Sequence, residues 1–122
     1  MNDENIVKVY IGNISSLNDD DFFYKAYESV SDYRKNKIDS VRFLEDKQRS
    51  LGAGLLLKKA LEDVGISEKK VEFITKENGK PHIKEMENFC FNLSHSGDYV
   101  VCAVSDKEIG CDIEFIKNID LC

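Results

Sequence analysis

Short runs of β-branched and alternating residues predict one strand near the start of the chain and several more in its second half. Residues 6–11 form the first of them, and the following Gly12-Asn13 closes it. Further strands are predicted over residues 71–75, 82–84, 89–93, 99–104 and 109–115. Short polar turns separate the last three runs, which we expect to form an antiparallel meander.

Between these strands the apolar residues recur at helical spacing. Helices are predicted over residues 17–30, 33–43 and 45–64, the second starting at a Ser31-Asp32 cap and the third ending at Gly65. Gly52 and Gly54 interrupt the third helix at a cost of about 1 kcal/mol each, so we expect them to allow close packing of another element or a ligand. The order of elements predicts one α+β domain, over residues 1–122, in which helices cover one face of a small, mostly antiparallel sheet.

The composition is that of an ordinary globular protein with an acidic balance. The 122 residues fit one domain, with 33% charged residues, 42% hydrophobic residues and a net charge of −6. This balance argues against a general nucleic-acid-binding role, and an anionic ligand would need a local cluster of cations. The second predicted helix supplies such a cluster, with Arg34, Lys35, Lys37 and Arg42.

The N-terminus and the cysteines bear on the compartment. Residues 1–5 are polar and acidic, and no long apolar segment follows, so we expect neither a signal peptide nor a membrane span, and a cytoplasmic location. The four cysteines show no C-x-x-C spacing and, with two histidines, make a poor zinc set. We expect reduced thiols, with Cys90, Cys102 and Cys111 packed in strands as small apolar residues.

Asp112 and Glu114, in the last predicted strand, are candidates for metal chemistry. Their spacing places both carboxylates on one face of a strand, where they repel each other. A hard cation such as Mg²⁺ removes this repulsion because it prefers oxygen ligands. From the spacing alone, a solvated acidic strand face is an equally good interpretation.

Five motifs follow one another along the chain. They are the basic helix, Arg49-Ser50-Leu51-Gly52, Gly79-Lys80-Pro81, Phe91-Asn92-Leu93-Ser94-His95-Ser96 and Ile109-Gly110-Cys111-Asp112-Ile113-Glu114. In order and approximate spacing they resemble the first half of the surfactin-synthetase-type 4′-phosphopantetheinyl transferases. Those enzymes move the phosphopantetheine arm of coenzyme A to a serine of a carrier protein, using Mg²⁺ and releasing 3′,5′-ADP. The resemblance implies the same activity, with coenzyme A as substrate and an acyl or peptidyl carrier protein as partner.

The resemblance also assigns roles to individual residues. Asp112 and Glu114 would be the catalytic carboxylates that hold Mg²⁺ on the pyrophosphate. The implied coenzyme A contacts are Arg34, Lys37, Arg49, Ser50, Gly79, Lys80, Pro81, Ser94 and His95. Taken one by one, these groups have plainer interpretations: a solvated helix face for Arg34 and Lys37, a hairpin loop for residues 79–81, and a turn serine and an exposed histidine for Ser94 and His95.

The second half of such enzymes, with its W-x-x-K-E motif, has no counterpart in this sequence. We interpret the ending, residues 118–122, as the start of a further segment, and so expect a truncated chain. A lone half leaves apolar surface uncovered, which favours a homodimer or a complementing half. The alternative function is a non-catalytic coenzyme A-binding or oligomerisation half-domain. The small homotrimeric holo-acyl-carrier-protein synthases have a similar length, but their G-x-D-I-E strand lies near the N-terminus.

Overall fold

The computed structural model describes residues 7–75, 79–86 and 88–105. Its strands are β1 (Val7–Asn13), β2 (Phe73–Thr75), β3 (Pro81–Ile83), β4 (Cys90–Ser96) and β5 (Tyr99–Ser105), and its helices are α1 (Asp20–Glu28), α2 (Asp32–Ser40) and α3 (Leu44–Glu62). Short 3₁₀ turns occupy Ile14–Asn18 and Glu68–Lys70. The predicted α+β class is confirmed.

The strands of the described residues form two antiparallel sheets. The larger has the order β1-β5-β4, and the smaller pairs β2 with β3. Strands β4 and β5 form a hairpin around Gly97-Asp98, where Gly97 has a positive φ of 60°. The first two runs of the predicted meander, β4 and β5, thus pair antiparallel as expected. On its other side β5 pairs with β1 along its whole length, a partnership that the sequence did not indicate. Residues 109–115 themselves lie outside the described residues.

Helix α3 covers one face of the larger sheet. Side chains alternate along a strand, so Val100, Cys102 and Val104 of β5 point to one face, and all three belong to the apolar core. One cluster consists of Ile14, Leu17, Ala26, Val30, Ile38, Leu51 and Val100, and the other of Leu57, Ala60, Leu61, Ile83, Cys102 and Val104. The predicted covering of a small sheet by helices is therefore confirmed.

The ends of the helices follow from capping groups. The side chain of Asp19 accepts a hydrogen bond from the backbone N–H of Phe22, so α1 starts at Asp20 instead of the predicted Leu17. Ser31 caps α2 as predicted, but this helix ends at Ser40 because the backbone of Val41 is extended. Both helices are shorter than the sequence pattern indicated.

The long helix ends close to its predicted boundary. Gly65 has a φ of +81°, and the N–H of Ile66 donates to the carbonyl of Leu61 at 2.9 Å, a common helix-ending arrangement. Val64, the last residue of the predicted helix, lies beyond α3 and is 52% exposed. Leu57, in the middle of α3, is fully buried.

Two cysteines lie in described strands. Cys102 is buried in β5 and Cys90 half-buried in β4, and neither forms a disulfide, which confirms their predicted packing. Burial raises the pKa of Cys102 to about 12, so this thiol is not a nucleophile at neutral pH. Cys111 and Cys122 lie outside the described residues. In the part of the chain that the structure describes, no helix is long and apolar enough to span a membrane.

Candidate functional site

A cleft of about 280 Å³ opens where α2, α3 and the β4–β5 hairpin meet. Its polar lining comes from Arg34, Asp46, Arg49, Ser50, Ser94 and His95, and its apolar lining from Val41, Ala53, Leu93 and Val100. Five of the polar residues were candidates from the sequence. The fold thus brings together side chains from three motifs that lie far apart along the chain.

Arg34 is the buried cation of this cleft. It projects from α2 and only 5% of the residue is exposed, so the alternative of a solvated helix face is wrong for this residue. Its Nη1 lies 3.4 Å from Oγ of Ser50, while its Nε has no hydrogen-bond partner among the described residues. Burial lowers the pKa of Arg34, and nearby Tyr33 and Glu68 oppose that shift. A guanidinium nevertheless stays protonated in proteins, so the cleft contains a permanent positive charge.

The aliphatic part of Arg34 crosses α3 at Gly54. A Cβ atom built on Gly54 would lie 2.6 Å from Cγ of Arg34 and 2.8 Å from its Cδ, which is closer than real atoms approach. The expected close packing at this glycine is therefore confirmed, and the neighbour is the arginine of the cleft. At Gly52 the neighbour is the core, because a Cβ there would meet Ile14 at 3.0 Å and Val100 at 3.2 Å.

Arg49 is the second guanidinium of the cleft, but its charge already has partners. Its Nη1 lies 3.2 Å from a carboxylate oxygen of Asp46, and its Nη2 lies 3.4 Å from one of Glu45. Its Nε donates to the carbonyl of Gly97 in the hairpin turn at 3.4 Å. These contacts fix the orientation of Arg49. Arg34 differs, because no carboxylate of the described residues lies within ion-pair distance of its guanidinium.

Ser94 and His95 lie within β4 and not in the loop that the sequence indicated. Pairing with β5 continues past them, with Ser94 opposite Val101 and His95 opposite Val100, and only Gly97-Asp98 forms the turn. Ser94 is half-buried and His95 is exposed, and both line the cleft. His95, opposite Val100, lies on the face of β4 that is turned to α3, which places its imidazole beside the two guanidinium groups. Ser94 also lines the cleft, but its side chain, opposite Val101, belongs to the other face of the strand.

The other predicted site residues lie elsewhere or outside the described residues. Lys37 is exposed on α2, with its Nζ 5.3 Å from the centroid of the Tyr33 ring, and it does not line the cleft. Gly79 and Lys80 precede β3 and Pro81 begins it, and none of the three lines the cleft. Asp112 and Glu114 lie outside the described residues. Among residues 7–75, 79–86 and 88–105, no group of three or more histidine, cysteine or acidic side chains could hold a metal ion.

Two contributors to the cleft were missed in the sequence. Asp46 precedes Arg49 by one helical turn, and this spacing could have indicated their ion pair. The partnership between Gly54 and Arg34 left no such signal, because the two residues belong to different helices. The two glycines within α3, Gly52 and Gly54, predicted close contacts, but the sequence did not indicate which residues would fill them.

The lining suits an anion with several oxygen atoms. Two guanidinium groups, an imidazole and the Ser50 hydroxyl offer several hydrogen-bond donors, and a planar guanidinium matches phosphate oxygens well, while the Asp46 carboxylate is already paired with Arg49. The volume of about 280 Å³ lies just below the roughly 300–1,000 Å³ that is usual for small-molecule sites. The cleft therefore fits one phosphorylated end of a ligand better than a whole large cofactor.

Comparison with known proteins links the chain to one enzyme family. The model of the 4′-phosphopantetheinyl transferase N-terminal family matches residues 18–107. The 4′-phosphopantetheinyl transferase psf-1 of Bacillus pumilus is 41% identical over 93 residues, which are 75% of this chain and 40% of the relative. A 4′-phosphopantetheinyl transferase of Bacillus subtilis is 34% identical over 113 residues, which are 92% of this chain and 49% of the relative. The chain thus spans half or less of the length of these relatives.

A solved structure shares the fold. A holo-(acyl-carrier-protein) synthase from Bacillus anthracis, crystallised in complex with CoA (3′,5′-ADP), superposes with a TM-score of 0.62 over 84% of this chain and 96% of that chain. The two sequences are 16% identical, so the likeness is one of fold.

Substituting Gly54 by Ala tests the packing of Arg34. In an open helix this change would stabilise by about 1 kcal/mol. Here the added Cβ overlaps the middle of the Arg34 side chain, and such overpacking costs about 1–3 kcal/mol. We expect a lower free energy of unfolding, measured by chemical denaturation.

The matched control is Gly54→Ala in an Arg34→Ala background, where the overlapping atoms are absent. There the same substitution is expected to be neutral or stabilising. Equal destabilisation in both backgrounds would show that Gly54 is required for a reason other than Arg34.

Proposed function

Because the chain belongs to the 4′-phosphopantetheinyl transferase N-terminal family, we propose that it forms the coenzyme A-binding half of such an enzyme. In the proposed reaction a serine oxygen of an acyl or peptidyl carrier protein attacks the pyrophosphate of coenzyme A. The phosphopantetheine arm becomes bonded to the serine, 3′,5′-ADP leaves, and the serine loses its proton. Coenzyme A and the carrier protein are the proposed partners, and the cytoplasm is the proposed location.

The observation that carries this proposal is the buried charge of Arg34. A cation that is 5% exposed and lacks a carboxylate partner among the described residues is costly, unless a ligand supplies the negative charge. The 3′-phosphate of coenzyme A has that charge and the oxygen atoms to accept several hydrogen bonds. The size of the cleft also supports binding of this end of the molecule.

Each polar residue of the cleft has a part in the proposed site. Arg34 binds the 3′-phosphate directly, and Ser50, which already contacts Arg34, keeps its guanidinium turned to the cleft. Arg49 adds donors from an orientation fixed by its two carboxylates. His95 contributes an imidazole from β4, and Ser94 remains a proposed contact from the same strand. Lys37 and residues 79–81 remain proposed contacts to other parts of coenzyme A on the strength of the sequence resemblance.

The metal part of the proposal concerns Asp112 and Glu114. Their acidic side chains suit Mg²⁺, although they lie outside the described residues, and the sequence motif is the support for their role. When bound, Mg²⁺ would neutralise negative charge that develops on the leaving phosphate. The role of the described residues is to bind and orient the nucleotide end of the substrate.

A second candidate function is a coenzyme A-binding half-domain without catalysis of its own. The observation that favours it is length, since the chain covers 40% and 49% of two relatives named as transferases. Such a module would bind coenzyme A and leave a carrier protein unmodified. A second copy of the chain, or a separate complementing half, would then complete the enzyme.

Replacing Arg34 by Met tests the phosphate site. We expect the dissociation constant of 3′,5′-ADP to rise about 10- to 100-fold, because a hydrogen bond to a charged group contributes about 1.5–3 kcal/mol. The midpoint of thermal unfolding should rise at the same time, because an apolar side chain replaces a buried cation. Isothermal titration calorimetry and differential scanning calorimetry measure the two effects.

The control for this variant is Lys25→Met, which removes one positive charge from the exposed surface of α1. This change should leave both the affinity and the unfolding midpoint close to those of the parent chain. Undiminished binding of 3′,5′-ADP to Arg34→Met would contradict the proposed phosphate site.

Asp112→Ala tests the metal site and separates the two candidate functions. We expect Mg²⁺ to strengthen coenzyme A binding by the parent chain and to have no such effect on the variant, as measured by calorimetry. Incubation with an apo carrier protein, followed by mass spectrometry, then detects transfer of the arm. Binding without transfer supports the non-catalytic half-domain, and equal Mg²⁺ dependence in both chains contradicts the role of Asp112.

Self-association is proposed through the face of the larger sheet that points away from α3. Val9 and Ile11 of β1 lie on this face and are 38% and 49% exposed, whereas their pairing partners Ala103 and Val101 in β5 are buried, so the exposed apolar part of the face is the strip along β1. We expect a concentration-dependent dimer in analytical ultracentrifugation, which Ile11→Lys abolishes. Ile74→Lys, a like change on the smaller sheet, is the control. A monomer at all micromolar concentrations would exclude the homodimer.

A further inference from the structure

Glu68 is a buried carboxylate outside the cleft. Only 2% of the residue is exposed, although glutamate is among the residue types least often buried. Its Oε1 accepts a hydrogen bond from the backbone N–H of Ser31 at 2.7 Å, and its Oε2 accepts one from the Ser31 hydroxyl. Among the described residues, Glu68 therefore hydrogen-bonds to Ser31, the residue that precedes α2.

Ser31 connects this carboxylate to the cleft. Its Oγ also accepts a hydrogen bond from the backbone N–H of Arg34 at 3.2 Å and so caps α2. A hydroxyl has a single hydrogen, and donating it to Glu68 turns the oxygen lone pairs toward the helix. The carboxylate thus fixes both the position and the rotation of the group that caps the backbone at Arg34.

The negative charge of Glu68 also suits this place. An anion near the N-terminus of a helix is favourable, because the first backbone N–H groups carry partial positive charge. Glu68 balances part of the charge of Arg34 without a direct contact, since the hydrogen bonds of the carboxylate go to Ser31. A carboxylate bonded directly to the guanidinium would instead compete with an incoming phosphate.

We propose that Glu68 is a positioning residue for the phosphate site, acting through Ser31 to hold the first turn of α2 so that Arg34 projects across Gly54 into the cleft. The inference rests on the proposed function for the identity of the ligand. The positioning itself concerns the side chain of Arg34 and is tested without any ligand. A purely structural role for Glu68, in which it only ties the 3₁₀ turn to α2, predicts a different result in each experiment below.

The first experiment observes Arg34 directly by nuclear magnetic resonance. The chain has three arginines, Arg34, Arg42 and Arg49, so the Nε–H region of a ¹⁵N spectrum is simple to assign by substitution. The buried Nε–H of Arg34 should give a separate signal that exchanges slowly with water. In Glu68→Ala we expect this signal to lose its protection and move toward the exposed arginines.

Two further variants sharpen this test. Glu68→Gln keeps an oxygen that accepts from the Ser31 backbone, so the Arg34 signal should stay close to that of the parent chain. Ser31→Ala removes the link itself while leaving Glu68 in place, and it should change the Arg34 signal even if Glu68→Ala does not fold. An unchanged Arg34 signal in a folded Glu68→Ala or Ser31→Ala variant would overturn the proposal.

The second experiment measures binding of 3′,5′-ADP and of 5′-ADP, which lacks the 3′-phosphate. For Glu68→Ala we expect about a tenfold loss of affinity for 3′,5′-ADP, equivalent to about 1.4 kcal/mol, and a much smaller loss for 5′-ADP. Glu68→Gln should retain the preference for 3′,5′-ADP. A purely structural role would lower the unfolding midpoint and leave the ratio of the two affinities unchanged.

The control is Glu62→Ala, which removes an exposed carboxylate paired with Lys58. At about 1.5 Å per residue, Glu62 lies about 18 Å along α3 from Ser50, so its loss should affect neither the Arg34 signal nor the preference. If the parent chain itself shows no preference for 3′,5′-ADP, the proposed phosphate site fails, while the Arg34 signal still decides the role of Glu68.

Discussion

The burial of the Arg34 guanidinium is the constraint on which the cleft depends. Moving a charged side chain out of water costs several kcal/mol, and the described residues compensate with few direct contacts. Gly54 leaves room for the Arg34 side chain, and Ser50 accepts one hydrogen bond from its guanidinium. The carboxylate of Glu68 lies near the N-terminus of α2, where it hydrogen-bonds to Ser31. Part of the hydrogen-bonding capacity of Arg34 is thereby left for a ligand. The folded protein gives up stability at this point, as is common at functional sites.

The two arginines of the cleft differ in their electrostatic situation. Arg49 contacts Glu45 and Asp46, which cancel most of its attraction for a distant anion and fix its direction. Arg34 is more deeply buried, where the local dielectric is low and a charge acts more strongly. Because the chain has a net charge of −6, the positive charge of Arg34 attracts an anion more strongly than the rest of the protein repels it only at short range. In the proposed site, this arrangement favours an anion that enters the cleft fully.

The sequence predicted much of this architecture and only part of the site. Helical and alternating periodicity located the helices and the described strands, because each pattern reports local geometry. The order of motifs pointed to Arg34, Arg49, Ser50, Ser94 and His95, which the fold brings together. It could not show that Lys37 turns to the Tyr33 ring, since the packing around α2 decides that. The bond of Glu68 to Ser31 was equally hidden, because its partners are far apart in the sequence.

The cleft is lined by residues of this chain, and its walls rest on a core of the chain's own side chains. Leu51 in α3 and Val100 in β5 belong to the same buried cluster, and they hold the helix and the hairpin that carry the site. The proposed phosphate site can therefore form without a second domain. In the proposed complex, a volume of about 280 Å³ leaves most of coenzyme A outside the cleft, so its pyrophosphate would contact other surfaces. Recognition of the nucleotide and chemistry at the pyrophosphate are then separable, and a half-domain can retain the first while depending on a partner for the second.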